Sequence, residues 1–261
     1  MKKIILLIAI ALCTGAWEVP PIEKYLGASH DGKVVHKFGW TPAAKTAPSV
    51  VWDDGRQNYD FYPLSAVMLA VSSTSVEDAD YVTATGVRSV NIQGLDDNLR
   101  SQQETVSLLG PTPVPLVNKY RRIFRMKAVG SNEYLVDGAG FNAGTIRCSD
   151  ASDGVTAAVV TAGNNQTLMA VYTVPIEFDG HMYQVYGGSD DAQFSIVRLW
   201  ARPVSETWQL KHIFNTNETI EHHNYIIPNR FTGGTDIRIT AKSSNAGSTI
   251  EGGFTLLLEP N

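Results

Sequence analysis

The histidines of one short segment are the first residues whose types and spacing suggest chemistry. His222 and His223 directly follow Glu221, and His181 and His212 lie elsewhere in the chain. Neutral imidazoles and carboxylates are common metal ligands. Adjacent residues of a strand point to opposite faces, so the two consecutive histidines cannot both reach one ion if the segment is extended. The pattern therefore favours a solvated loop or a strand end over a metal site.

Two further segments match the residue pattern of a ligand-binding motif only in part or without the structural setting that the motif needs. Residues 138–143 match G-x-G-x-x-A, the dinucleotide fingerprint. That motif opens a helix, whereas residues 144–148 are predicted to continue as a strand, so we expect a turn. Residues 53–60 offer oxygen ligands around Gly55, but they lack the alternating acidic positions and the bidentate Glu of a calcium loop. An ordinary Asx turn is the expectation there.

Motifs of known catalytic sites are absent from the sequence. It contains no G-x-S-x-G, no H-E-x-x-H, no P-loop and no C-x-x-C. Its two cysteines, Cys13 and Cys148, cannot supply the ligands of a zinc finger. We therefore predict a non-enzymatic protein with no catalytic residue, no cofactor and no metal. Cys148 is expected to be a small buried apolar residue rather than a nucleophile.

Aromatic side chains are the remaining candidates for binding, because aromatic faces are common at binding surfaces and can stack on sugars. Trp40 and Trp52 lie in a segment with only brief apolar runs, so they are the candidate binding residues. Packing onto the protein's own sheets or onto a neighbouring subunit is the alternative for both. Trp208 alternates with Leu210 and His212 and is expected to face a core instead.

The elements that must position these residues are predicted to be strands. In residues 236–242 the apolar Ile237, Ile239 and Ala241 alternate with polar residues, which is the pattern of a half-buried strand. Glycine-rich and proline-rich turn signals separate many such segments, and only residues 75–80 and 96–104 have helical character. The interior is predicted to contain Val90, Ile92, Phe124, Met126, Ile237, Ile239, Phe254, Leu256 and Leu258.

Many short strands without amphipathic helices predict an all-β protein, an antiparallel β-sandwich of jelly-roll type. Residues 17–60 are expected to form an extended arm or edge segment. Residues 61–261 are expected to form the sandwich, either as one unit or as two packed sub-sandwiches. The chain has 261 residues, which is enough to bury a core without disulfides. A formal net charge of −5 and the lack of any Lys/Arg-rich run argue against nucleic acid as a partner.

The first sixteen residues have the pattern of a secretory signal. Two lysines precede a ten-residue apolar run, and residues 14–16 are small enough for a cleavage site after Ala16. The run is too short for a stable membrane span. We predict cleavage after Ala16, with an apolar arm buried in an assembly as the alternative.

Several segments in order resemble the virion structural proteins of marine tailed bacteriophages. The segments that carry the resemblance are residues 35–39, 51–55, 69–75, 86–96, 104–110 and 120–126, with residues 234–239 and 253–258 near the end. The sequence departs from the pattern at Thr41 and Asp54, where Asn and Gly are expected at turns.

The resemblance implies a β-rich particle component located in the virion. Such a component is a capsid decoration, a head fibre or a tail-associated protein, and it carries no catalytic residues. Its expected partners are other virion proteins and copies of itself, held through symmetric contacts. An exported β-sandwich adhesin that contacts cell-surface glycans, in the host periplasm or outside the cell, is the alternative.

Overall fold

The computed structural model describes residues 32–42, 44, 46–54, 65–131, 140–150, 156–191 and 194–261. These ranges contain sixteen β-strands and no helix. The predicted signal segment, its cleavage site after Ala16, Cys13 and residues 55–60 of the expected Asx turn lie outside them.

The strands follow one another along the whole described chain. The first nine are β1 (Lys33–Thr41), β2 (Ser49–Val50), β3 (Val67–Ser73), β4 (Val87–Leu95), β5 (Ser101–Ser107), β6 (Val114–Tyr120), β7 (Arg122–Ser131), β8 (Ile146–Ser149) and β9 (Thr156–Val160). The other seven are β10 (Val171–Thr173), β11 (Phe178–Ser189), β12 (Ser195–Arg202), β13 (Gln209–Thr216), β14 (Ile220–Phe231), β15 (Asp236–Ser243) and β16 (Ile250–Pro260).

A larger sandwich is built from the first strands and the second half of the chain. Its sheet I has the strand order β1-β16-β11-β14, and its sheet II has the order β10-β15-β12-β13, with β2 also paired to β15. Alternate side chains of both sheets meet in one core, which includes Val185, Leu199, Ile239, Phe254 and Leu256. Burying one face of each strand fixes the register, because a shift by one residue would turn the apolar set outward.

A smaller sandwich is inserted between β2 and β10. Its sheet III has the order β6-β3-β8-β9, and its sheet IV has the order β5-β4-β7. Its separate core includes Val71, Val90, Ile92, Met126 and Ile146. A third cluster, of Val50, Trp52, Val159, Met169 and Val171, joins strands of the two sandwiches.

The larger sandwich pairs its strands in a nested pattern. All the pairs are antiparallel: β1 with β16, β10 with β15, β11 with β14 and β12 with β13. The first and last strands of the chain, β1 and β16, are therefore partners, and so are β12 and β13, which follow each other in the sequence.

The prediction of an all-β antiparallel β-sandwich is confirmed. Eight of the nine predicted interior residues are buried, and Phe124 is half-buried against the larger core although it belongs to the smaller sandwich. The helical character expected at residues 75–80 and 96–104 is wrong, because the first is a turn and β5 begins at Ser101. The boundaries predicted at residues 16 and 60 stay predictions.

Candidate functional site

The two candidate tryptophans have different surroundings. Trp52 is 0% exposed in the cluster that joins the sandwiches, so its ring is a packing residue and offers no contact surface. The hydroxyl of Thr41 fixes its backbone, since Thr41 Oγ1 lies 3.1 Å from Trp52 N and 3.2 Å from Trp52 O. Trp40 is half-buried on β1 and borders an open groove. A ligand contact by Trp40 stays a prediction.

This Trp40 groove lies on the face of sheet I that points away from sheet II. Its volume is about 470 Å³, and it is lined by Trp40, Gly188, Ser189, Asp190, Glu218, Thr219, Ile220, Thr249 and Glu251. Trp40 pairs with Glu251 across the sheet, and Gly188 pairs with both Glu251 and Ile220. A Cβ at Gly188 would lie 2.8 Å from Ile220 Cγ1, so glycine keeps the floor of the groove open.

A row of rings continues from the groove across the same face. The ring centroids of Phe38 and His36 are 6.1 Å apart, those of His36 and Tyr186 are 6.4 Å apart, and those of Tyr186 and His222 are 5.6 Å apart. The Tyr186 ring lies over Gly253, where a Cβ would come within 2.6 Å of ring carbons. Burial and the charge of Glu251 raise the pKa of Tyr186.

The consecutive histidines point to opposite faces, as strand alternation predicts. His222 contacts Tyr186, whereas the ring of His223 lies 4.5 Å from that of His212 and 4.5 Å from that of Tyr225. Within the described ranges, no group of three or more His, Cys, Asp or Glu residues is placed to hold a metal ion. Burial and the neighbouring His223 lower the pKa of His212.

Trp208 does not face a core, so that expectation is wrong. It is half-buried, and its ring lies 4.5 Å from the guanidinium carbon of Arg202 and 4.0 Å from that of Arg238. Arg238 is on the polar face of β15, so the ring covers the outer side of sheet II. Cation–π contacts of this kind explain why a tryptophan is stable there.

A second opening, the basic cleft, lies where β1 meets the smaller sandwich. Its volume is about 460 Å³. Basic, amide, hydroxyl, aromatic and aliphatic side chains line it: Lys33, Val34, Val35, His36, Lys37, Phe38, Gln93, Ser101, Phe124, Arg125, Gln166, Tyr172, Phe178 and Leu258. Lys37 Nζ donates a hydrogen bond to the backbone oxygen of Phe124. Arg125 Nη2 donates to the backbone oxygen of His36 over 2.8 Å.

Burial and like charge shape the titration of this cleft. Burial lowers the pKa of Lys37 well below its ordinary value, and the charge of Arg125 lowers it further. Burial also lowers the pKa of Arg125. The pKa of His36 is lowered by burial and by the charges of Arg125 and Lys37. Sequence reasoning missed this cleft, because alternation along β1 does not tell which face is buried.

Several buried carboxylates are held by hydrogen bonds and act as structural anchors. Asp78 accepts from Ser73 Oγ over 2.6 Å and from the backbone nitrogens of Val87, Ala143 and Gly144 over 3.0, 2.8 and 2.8 Å. These bonds join the turn after β3 to the residues before β8. These four hydrogen bonds fix the carboxylate in place as a structural link between the two segments.

The described part of the predicted Asx turn is also anchored. Thr161 Oγ1 donates to Asp53 Oδ2 over 2.8 Å, while burial raises the pKa of Asp53 to about 6. Asp54 Oδ1 lies 3.3 Å from Arg147 Nη1. After the segment that resembles a dinucleotide motif, the chain continues as strand β8 from Ile146, as predicted.

Cys148 lies in the core of the smaller sandwich and is a free thiol. Burial and the charge of Glu104 raise its pKa. Because the thiolate is the reactive form, this environment suits packing rather than nucleophilic chemistry.

Strands β13 and β14 form an exposed apolar edge. They are the last strands of sheets II and I, respectively. Ile226 and Ile227 are 80% and 82% exposed. They lie in a bulge of β14 between Asn224 and Asn229, opposite the single residue Tyr183 of β11. Leu210, Ile213 and Ile220 are further exposed apolar residues of this β13–β14 edge.

Comparison with known proteins does not identify a family. No protein-family model matches the sequence, and no curated protein matches it significantly. A structure of infectious bursal disease virus, Gx strain, is similar at 11% identity over 87% of this chain and 71% of that chain, with a TM-score of 0.22. A structure of the Gt strain is similar at 11% identity over 88% and 82%, with a TM-score of 0.15. At such TM-scores the likeness carries no argument about fold or function.

No helix in the described ranges has the length and apolarity needed to cross a membrane.

Proposed function

We propose that this protein is a non-enzymatic structural component of a bacteriophage virion, such as a capsid decoration, a head fibre or a tail-associated protein. The observation that carries the proposal is the nested pairing of the larger sandwich. Counting only β1 and then β10 to β16, the first strand pairs with the eighth, the second with the seventh, the third with the sixth and the fourth with the fifth. This is one long hairpin rolled into two sheets. We infer a jelly roll, an architecture used by viral capsid domains.

The inserted sandwich fits a display role. It is fixed to the larger sandwich by the Trp52 cluster and by the ion pair between Arg122 and Asp236, whose side chains are 8% and 6% exposed. A module inserted between two strands and anchored by buried contacts keeps a constant orientation. A repeated particle component needs that property in order to present the module at regular positions.

The β13–β14 edge supports assembly from several copies. Unpaired edge strands with exposed apolar side chains are a liability in a protein that stays alone. The bulge at Ile226 and Ile227 disturbs the backbone ladder at this edge, so side chains rather than added strands would make the contact. A copy of the same chain covers such a surface in a symmetric oligomer.

The sequence resemblance to marine tailed-phage proteins points to the same role. It supports other virion proteins as partners and the virion as the location. Because jelly rolls also occur in lectins, the fold alone does not decide the function.

Mass spectrometry of purified virions tests the proposal. Particles from cultures that produce this protein are expected to contain its peptides at many copies per particle. Consistent absence from intact particles, with the protein present in the lysate, would contradict a structural role.

Assembly of several copies through the β13–β14 edge has a separate test. We expect the double variant Ile226→Asp/Ile227→Asp to lower the molar mass measured by light scattering in solution. Val117→Asp, at an exposed position of β6, is the matched control and is expected to keep the wild-type mass. If both variants keep that mass, the β13–β14 edge is not the contact.

A second candidate function is glycan binding, and the Trp40 groove is the observation that favours it. An indole beside the carboxylates of Glu251 and Asp190 offers a stacking face and hydrogen-bond acceptors for sugar hydroxyls. An exported adhesin of the periplasm or cell exterior would use such a groove. Glycan-array binding that Trp40→Ala abolishes and Trp208→Ala preserves would favour this function over the virion role.

A further inference from the structure

The basic cleft contains a buried lysine with few partners. Lys37 is 2% exposed, and its side chain points into the seam between β1 and β7. An ammonium group has three donors. Within the described ranges, the backbone oxygen of Phe124 is the one acceptor that Lys37 Nζ reaches.

A second cation lies at the same place. Arg125 follows Phe124 on β7 and also donates to a backbone oxygen, that of His36. Lys33 Nζ lies 5.0 Å from the centroid of the Phe178 ring at the border of the cleft. No Asp or Glu occurs among the described residues that line the cleft.

This arrangement is unfavourable without a negative group. A buried charge is normally paired, and two like charges in one site each disfavour the charged form of the other. A bound anion would accept hydrogen bonds from the remaining N–H groups of Lys37. Its negative charge would also offset the repulsion between Lys37 and Arg125. The lining also includes the side-chain amide of Gln166 and that of Gln93, whose Nε2 already donates one hydrogen bond to Asn91 Oδ1 over 3.1 Å.

We propose that the basic cleft binds an oxyanion, the chemistry shared by carboxylate, sulfate and phosphate groups, through Lys37 and Arg125. The volume of about 460 Å³ is within the range of small-molecule sites and exceeds what one inorganic ion fills. The rings of Phe124 and Tyr172, whose centroids are 4.8 Å apart, border it as an apolar wall. An anion carried on a small organic group therefore fits the cleft as well as a free ion.

Thermal unfolding of the whole protein in sodium sulfate and in sodium chloride of equal ionic strength tests the proposal. Sulfate stabilises proteins generally by exclusion from their surface, so the readout is the difference between variants. We expect sulfate to raise the unfolding temperature of the wild type more than that of Lys37→Met. Lys127→Met, an exposed position on the same strand as Arg125, is the matched control and is expected to respond like the wild type.

Calorimetric titration gives the second readout and identifies the source of the anion. Sulfate and glucuronate are titrated into the wild type, with glucose as the neutral control. Tighter binding of glucuronate assigns the cleft to an organic oxyanion, and tighter binding of sulfate assigns it to the free ion. We expect Arg125→Gln to weaken the binding of sulfate or of glucuronate by about tenfold. This variant keeps the test valid if Lys37→Met fails to fold.

Two results would overturn the proposal. One is an equal response of the wild type and both cleft variants to sulfate. The other is the absence of binding heat for sulfate and for glucuronate at millimolar concentration. Neither result depends on whether the protein is found in virions.

Discussion

Asp236 and Lys37 are both buried where the two sandwiches meet, and the protein compensates their charges in different ways. Asp236 Oδ1 lies 3.1 Å from Arg122 Nε of the smaller sandwich, and Asp236 Oδ2 lies 2.7 Å from Arg202 Nη2 of the larger one. Thr173 Oγ1 donates to the same carboxylate over 2.6 Å. The negative charge is thus shared between two guanidinium groups and a hydroxyl.

Lys37 has no such compensation in the part of the chain that is described. Its ammonium and the nearby guanidinium of Arg125 donate to backbone oxygens of Phe124 and His36. A carbonyl oxygen is an acceptor without a full charge, so it satisfies a donor but does not neutralise the cation. The Asp236 site is therefore closed and structural, whereas the basic cleft holds two cations and no Asp or Glu among its described lining residues.

We expect the largest loss of stability when Asp236 is replaced. Asp236→Ala removes the carboxylate that pairs with the buried Arg122 and with Arg202, and breaking a buried pair in this way costs about 3–5 kcal/mol. Urea denaturation should show that loss, or a protein that no longer folds. Arg230→Ala is the comparison variant: Arg230 is 64% exposed and its partner Asp179 is 12% exposed, so this pair is only partly buried and we expect a smaller loss. Equal losses in both variants would remove the contrast.

In the basic cleft, the expected change in the free energy of unfolding has the opposite sign. A buried ammonium group without a charge partner carries a cost of desolvation, which an apolar side chain of similar length avoids. We therefore expect Lys37→Met to keep or raise the free energy of unfolding at pH 7 in a chloride buffer. A loss of several kcal/mol would mean that Lys37 has a charge partner and that the two sites are alike.

The low pKa of the Lys37 ammonium should make stability depend on pH. Burial places the pKa of Lys37 well below its ordinary value of 10.5 in the folded protein. Between the two pKa values the unfolded chain binds a proton that the folded protein has released, so stability rises with pH there, by up to about 1.4 kcal/mol per unit. Above 10.5 this contribution is constant. Denaturation at several pH values should show this slope in the wild type and not in Lys37→Met.

The smallest effect concerns the coupling of the two cations. Arg125→Gln removes the like charge that lowers the pKa of Lys37, so that pKa should rise while staying below its ordinary value. NMR titration of the Lys37 side-chain Cε measures it. An unchanged pKa would show that burial alone sets the titration of Lys37.

The sequence could predict the strands that bury one face, because that burial imposes a period of two. Residues 236–242 and 254–258 fall within β15 and β16 for this reason. Residues 96–104 did not show the period, since β5 contains Gln102, Gln103 and Glu104 and little apolar surface. Strand pairing had no local signal, because partners such as Lys33 and Leu258 are far apart in the chain.

The candidate site was less predictable than the fold. Trp40 and Trp52 belong to the same segment, and only the packing of Met169 and Val171 against Trp52 separates a buried ring from an accessible one. Lys37 was missed because lysines are almost always exposed, so a rule based on residue type assigns it to the surface. Its burial depends on Phe124, which lies on another sandwich.

Electron cryomicroscopy of purified particles tests most directly whether this protein is a repeated structural component of a virion. We predict density for the two-sandwich protomer, repeated by the symmetry of the particle, with Ile226 and Ile227 of the β13–β14 edge at a contact with another chain. A particle map in which all protein density is assigned to other chains would contradict the claim.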